Sequence, residues 1–145
     1  MAEKSLVADW LRHANNDLIT AKHMFDDVYP KQTEISAFHS QQCAEKALKA
    51  FLYANEIPFP WIHDLVKLIR LCKDVDQSFS EIEIECGKLN PYGTITRYPI
   101  FYNILIVPQK RFCQGATMPK LTQIPRSMLK VLIKKHGLSV SRLTS

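Results

Sequence analysis

Five polar side chains recur at steps of three and four residues, which is the spacing of a single helix face. They are His39, Gln42, Lys46, Lys49 and Tyr53. An imidazole, an amide, two ammonium groups and a phenol in register can together hold an anion such as phosphate. The same face would also suit water or a partner subunit, because polar helix faces are usually solvated. Both interpretations of this polar stripe stay open.

Apolar residues at helical spacing predict the elements that must position the stripe. The helix that carries it is predicted over 33–55, with Thr33 as its cap. The opposite face of that helix is apolar and contains Ala37, Ala44, Leu48 and Phe51. A preceding helix is predicted over 5–28 and ends at Tyr29-Pro30. Because the link between the two is short, we expect them to pack antiparallel.

The sequence after residue 55 predicts shorter elements. Polar residues that precede apolar stretches indicate where a third helix and a fourth element start: His63 or Asp64 for the third, and Ser78 or Ser80 for the fourth. Asn-Pro-Tyr-Gly at 90–93 predicts a turn. The first ninety residues are therefore expected to form an all-α helical bundle.

Charge is divided unequally along the chain. Residues 1–85 contain all 14 acidic residues and 9 of the 19 bases, whereas residues 86–145 contain 10 bases and no acid. A segment this basic attracts nucleic-acid phosphates whatever their sequence. It is also typical of a disordered tail.

We interpret residues 100–145 as a divergent, irregular basic segment, and one hypothesis is a shifted reading frame. Acidic residues and regular helical spacing both stop after Glu85. The apolar run from Ile100 to Pro108 is compatible with a strand, a buried helix turn or an aggregation-prone exposed segment, and the local pattern does not distinguish them. The only clear helix prediction in this segment covers 126–136.

Several classes of site and location can be judged from motifs. No apolar run reaches the roughly 18 residues needed to span a bilayer, and the N-terminus lacks a secretory pattern, so we expect a cytoplasmic protein. Neither a metal nor a cofactor is predicted, because no C-x-x-C, H-E-x-x-H or glycine-rich phosphate loop is present. Cys43 and Cys72 are expected to be reduced helix residues.

Three motifs in a fixed order resemble the HEPN domain family. They are F-H-S-Q-Q-C-A-E-K-A-L-K-A from Phe38, His63 at the start of a helix, and Arg97-Tyr98-Pro99. The similarity covers roughly 8–99. It implies an antiparallel up-and-down bundle of four to five helices over residues 1–99. Members of the family usually form homodimers and are often encoded beside a minimal nucleotidyltransferase. The family is associated with nucleotide binding, toxin–antitoxin pairs and RNA cleavage.

The chain departs from the ribonuclease members of the family at one position. In those members, four to six residues separate an arginine from a following histidine. Arg97 is followed at the matching positions by Tyr102, Asn103 and Ile104, none of which can act as an imidazole. Arg97 would be catalytic only in a ribonuclease with a non-standard site, and it could equally pair with a carboxylate or contact a ligand.

The resemblance implies a nucleotide- or RNA-interacting module that acts with a minimal nucleotidyltransferase in a toxin–antitoxin system. Two alternatives stay open: a metal-independent ribonuclease toxin that uses Arg97, and a non-catalytic helical dimerisation scaffold. The candidate ligand-binding residues are His39, Gln42, Lys46, Lys49, His63, Arg97 and Tyr98. Four aromatic residues near prolines could stack on a base or fill the ends of the bundle: Phe59, Trp61, Tyr92 and Tyr98.

Overall fold

The computed structural model describes residues 4–95, and 79% of them are helical, with no strand in that range. The helices are α1 (Lys4–Asp26), α2 (Thr33–Ala54), α3 (Leu65–Val75), a 3-10 helix (Gln77–Ile82), α4 (Glu83–Leu89) and α5 (Tyr92–Ile95). The predicted all-α helical bundle is thus confirmed. Arg97, Tyr98, the boundary at residue 99 and the basic segment 100–145 lie outside the described residues.

The first two helices form the longest packed pair, and they run antiparallel. Ser36, in the first turn of α2, donates its hydroxyl to the carbonyl oxygen of Ala21, late in α1, at 2.7 Å. The face of α1 that packs on α2 is apolar and contains four buried residues: Val7, Leu11, Ala14 and Leu18. Neither helix, nor any other within 4–95, is long and apolar enough to cross a membrane.

The second helix lies at the centre of the bundle. Every residue from 43 to 52 is buried except Lys46. Phe51 packs against Phe79 of the 3-10 helix, with ring centroids 4.6 Å apart. Leu48 and Phe51 are fully buried, and each contributes about 1.5 to 3 kcal/mol through removal of apolar surface from water. The apolar face predicted for this helix is therefore confirmed.

Helix starts follow the predicted chemistry, but not always at the predicted residue. Asp64 caps α3 and accepts hydrogen bonds from the backbone N–H groups of Val66 and Lys67, at 3.0 and 3.3 Å. Thr33, predicted as the cap of α2, is its first helical residue, and Gln32 occupies the cap position without a side-chain bond to the helix. The amide of Gln32 instead donates to the carbonyl oxygen of Pro30.

The start of the fourth element also differs from the prediction. Asp76, rather than Ser78 or Ser80, caps the 3-10 helix, because its carboxylate accepts from both the backbone N–H and the hydroxyl of Ser78. A carboxylate accepts two donors at once and so outcompetes the hydroxyl.

The turn predicted at 90–93 is only partly present. Asn90 ends α4 and its side-chain oxygen accepts from the backbone N–H of Leu65, the first residue of α3, at 2.7 Å. The chain re-enters a helix at Tyr92, so Gly93 lies inside α5. A Cβ at Gly93 would be 2.8 Å from the side-chain amide carbon of Gln41, which shows how closely α5 approaches α2.

Candidate functional site

One carboxylate on α1 organises the first part of the polar stripe. Asp17 accepts from Nδ1 of His39 at 2.9 Å through one oxygen, and its other oxygen contacts the ammonium group of Lys46. Asp17 is nearly buried, whereas His39 and Lys46 each keep about a quarter of their side chain exposed. We call these three residues the Asp17 cluster.

Helix geometry explains why the Asp17 cluster forms. Asp17 lies three residues after Ala14 and four before Ala21, so it occupies the face of α1 that packs on α2. His39 and Lys46 are seven residues apart, which is two turns of α2, and both therefore reach the same point on α1. A carboxylate this buried needs paired donors, and the two α2 side chains provide them.

A second cluster lies on the adjacent side of α2. Glu45, 5% exposed, accepts from Nζ of Lys49 at 2.8 Å and lies 3.0 and 3.1 Å from Nδ1 of His63. The fully buried amide of Gln41 donates to Glu45 and to the backbone carbonyl of His63, at 3.2 Å each. Gln41, Glu45, Lys49 and His63 form what we call the Glu45 cluster.

Gln42 extends the Glu45 cluster toward the surface. Its partly exposed side chain donates its amide to the side-chain oxygen of Gln41 at 2.7 Å. Each of the two clusters holds one carboxylate, one lysine and one histidine. With neutral imidazoles, the charges of each carboxylate and its lysine cancel.

Both histidines are oriented by their carboxylates. The Nδ1 atom of each ring faces a carboxylate oxygen, and within residues 4–95 the Nε2 atom of neither ring has a hydrogen-bond partner. His63 is the more accessible, with 58% of its side chain exposed. An imidazole held in this way presents Nε2 to an incoming group, either as a donor or as a base.

Lys49 differs from the other predicted ligands in its surroundings. Its side chain is 4% exposed, its ammonium is bound to Glu45, and it lies 5.7 Å from the centre of the Trp61 ring. The structure therefore places Lys49 beneath the surface, where it supports Glu45. His39, Gln42, Lys46 and His63 are brought together along α2, and their assignment as ligands stays a prediction, as does that of Lys49. Arg97 and Tyr98 lie outside the described residues.

Cysteines and metal ligands contribute no further group to these clusters. Cys43 is fully buried below the Asp17 cluster, and burial, reinforced by the nearby negative charge of Asp17, raises the pKa of its thiol well above the usual range. Cys43, Cys72 and Cys86 are free thiols, the first two in α2 and α3 as predicted. Among residues 4–95, no three His, Cys, Asp or Glu side chains converge as metal ligands do.

Comparison with known protein families agrees with the helical architecture. The family model described as HEPN domain matches residues 7–117, more than three quarters of the chain. The chain belongs to the HEPN family. No curated protein and no solved structure matches it. The HEPN match covers both clusters and extends beyond the predicted domain boundary at residue 99.

The acidic residues of the two clusters in this HEPN domain, Asp17 and Glu45, were not among the predicted site residues. The sequence nevertheless carries a signal for each. Asp17 interrupts an otherwise apolar stripe of α1, and an acid at a buried helix position needs a partner. Gln41, Glu45 and Lys49 follow one another at four-residue spacing, which is the spacing of side-chain pairs along a helix. The position of Trp61 beside Lys49 depends on a loop and has no such signal.

Proposed function

We propose that this HEPN domain binds a phosphate group of a nucleotide or RNA at the Asp17 cluster, and that it acts with a minimal nucleotidyltransferase partner in a toxin–antitoxin system. One observation carries the proposal: Lys46 and His39, both on α2 and partly exposed, contact the nearly buried carboxylate of Asp17 on α1. Family membership supports a nucleotide- or RNA-related role. The partner and the toxin–antitoxin setting rest on the family resemblance alone.

The donors of the cluster suit an oxyanion. The ammonium of Lys46 has three N–H groups and uses one on Asp17. His39 can donate from Nε2, and the amide of Gln42 lies one turn from both along α2. Asp17 holds the side chains of Lys46 and His39 in place and limits their rotation, so less side-chain freedom is lost when an anion binds.

Lys46 provides the test of phosphate binding. We expect Lys46→Gln to weaken binding of a short fluorescein-labelled single-stranded RNA by about tenfold, since a charge-assisted hydrogen bond contributes about 1.5 kcal/mol. The measurement is fluorescence anisotropy at one fixed salt concentration. Lys67→Gln is the matched control, because Lys67 is exposed on α3 and lies 3.8 Å from its nearest carboxylate, so it loses the same charge at a different place.

The same variants separate binding from a scaffold role. Thermal unfolding shows whether each variant is folded, and light scattering gives its molecular mass. Equal affinity of Lys46→Gln and Lys67→Gln would contradict the proposal. A loss of dimer mass in Lys46→Gln with unchanged RNA affinity would instead support the dimerisation scaffold.

A second candidate function, RNA cleavage without a metal, is favoured by the orientation of the histidines. His63 is held by Glu45 through Nδ1 and exposes its ring, the arrangement that a general base for a ribose hydroxyl requires. Purified protein incubated with a fluorogenic RNA should then show cleavage that is lost in both His63→Gln and Arg97→Ala. Cleavage that persists in His63→Gln would exclude this histidine as the base.

A further inference from the structure

An exposed aromatic surface adjoins the Glu45 cluster. Trp61 is 81% exposed, and its ring centroid lies 6.4 Å from that of Trp10 and 6.1 Å from that of Phe59. Tryptophan is highly buried on average, so an exposed ring that adjoins other aromatic rings marks a candidate binding surface.

The backbone that carries this ring is restricted. Trp61 follows Pro60 directly, and Pro58 lies two residues before Pro60, so the chain here has few accessible conformations. The backbone N–H of Ile62 donates to the carbonyl of Pro60 at 2.8 Å, which closes the turn around Trp61. A residue whose backbone is already restricted loses less freedom when it contacts a ligand.

Two polar groups of the Glu45 cluster lie near Trp61. The ammonium of Lys49 is 5.7 Å from the centre of the ring, and the exposed His63, two residues further along the chain, shares the Glu45 carboxylate with Lys49. An aromatic face next to a cation and an oriented imidazole matches the two parts of a nucleotide, because a base stacks on the ring and a phosphate accepts from the imidazole.

We propose that Trp61 is a stacking platform for a nucleobase of single-stranded RNA, whose phosphate is bound by His63. This inference rests on the proposed function and adds to it a part of the ligand, the base, that phosphate binding at Lys46 does not require. Stacking is tolerant of base identity, since every base has a π face, so the platform would bind RNA with little sequence preference.

The test compares two labelled ligands that carry equal charge, a short single-stranded RNA and an abasic oligonucleotide backbone of the same length. We expect the native protein to bind the RNA about tenfold more tightly than the abasic backbone, the gain of one stacked base. Trp61→Ala should bind both with equal affinity, and Trp61→Phe should restore most of the preference. Because the ring is largely exposed, we expect both variants to fold, which circular dichroism checks.

Tyr29→Ala is the matched control. Tyr29 is almost fully exposed and follows the end of α1, about 24 Å along that helix from Trp10, so its loss removes an exposed aromatic ring elsewhere. The Tyr29→Ala variant should prefer RNA over the abasic backbone as strongly as the native protein does. If native protein and Trp61→Ala both bind RNA and the abasic backbone equally, the platform is refuted while phosphate binding stands. If neither ligand binds the native protein, the proposed function itself fails and the platform with it.

Discussion

Replacing the buried carboxylate of Glu45 should destabilise the fold more than replacing Lys49, its buried partner. The two charges are joined at 2.8 Å, with side chains only 5% and 4% exposed. Removing one member of a buried ion pair costs about 3 to 5 kcal/mol, because the remaining charge stays away from water without compensation. The cost therefore depends on which other groups each charge retains.

The structure makes the two single variants unequal. In Glu45→Gln, the amide oxygen can still accept from Lys49, but the buried ammonium loses the carboxylate charge that compensates it, so we expect a loss of about 3 kcal/mol in unfolding free energy. In Lys49→Met, the carboxylate still accepts from Gln41 and His63, so we expect about 1 to 2 kcal/mol. The double variant leaves no charge of the pair buried and should cost less than the sum.

Urea unfolding followed by far-UV circular dichroism measures all three values, and the larger loss corresponds to a fall in Tm on the order of 10 °C. Asp9→Asn is the control: Asp9 and Arg12 form a similar ion pair at 3.0 Å but are both exposed, so the loss should stay below about 0.5 kcal/mol. Equal costs for the two single variants, with an additive double variant, would refute the reasoning.

Two further predictions concern packing and thiols. Gly93→Ala should lower the unfolding free energy measured in urea by about 1 to 2 kcal/mol, because the new Cβ would lie 2.8 Å from the buried Gln41 side chain. Gly87→Ala is the control, since a Cβ there meets nothing within 4 Å. This control variant should stabilise α4 by up to about 1 kcal/mol. In a Cys113→Ser variant, we expect native protein to resist alkylation at neutral pH until urea is added, as mass spectrometry would show, because burial raises the pKa of all three remaining thiols: Cys43, Cys72 and Cys86. Burial raises the pKa of the Cys86 thiol from its ordinary value of 9.0 to about 12 in the folded protein. The stability contributed by the buried neutral thiol should therefore be complete below about pH 9 and be lost as the pH rises from 9 toward 12.

Periodicity predicts the helices of this chain well, because each long helix buries one continuous face. The helical spacing that placed Ala44 and Leu48 on the apolar face of α2 and Lys46 on its polar face agrees with the structure, in which the first two residues are buried and Lys46 is partly exposed. Caps were predicted less accurately, since Asp76 and Ser78 both carry suitable oxygens and only the geometry decides between them. The pairing of Asp17 with His39 joins residues 22 apart, and that of Glu45 with His63 joins residues 18 apart, so neither could be inferred from local spacing.

The balance of charge within the clusters limits how this domain can attract an anion. Asp17 with Lys46, and Glu45 with Lys49, cancel pairwise, so each cluster becomes positive only when its histidine takes up a proton. Under the proposed function, long-range attraction would come from the 10 bases of residues 86–145, which no acid in that segment offsets. The basic segment would then raise the encounter rate with nucleic acid, and the clusters on α2 would hold the phosphate.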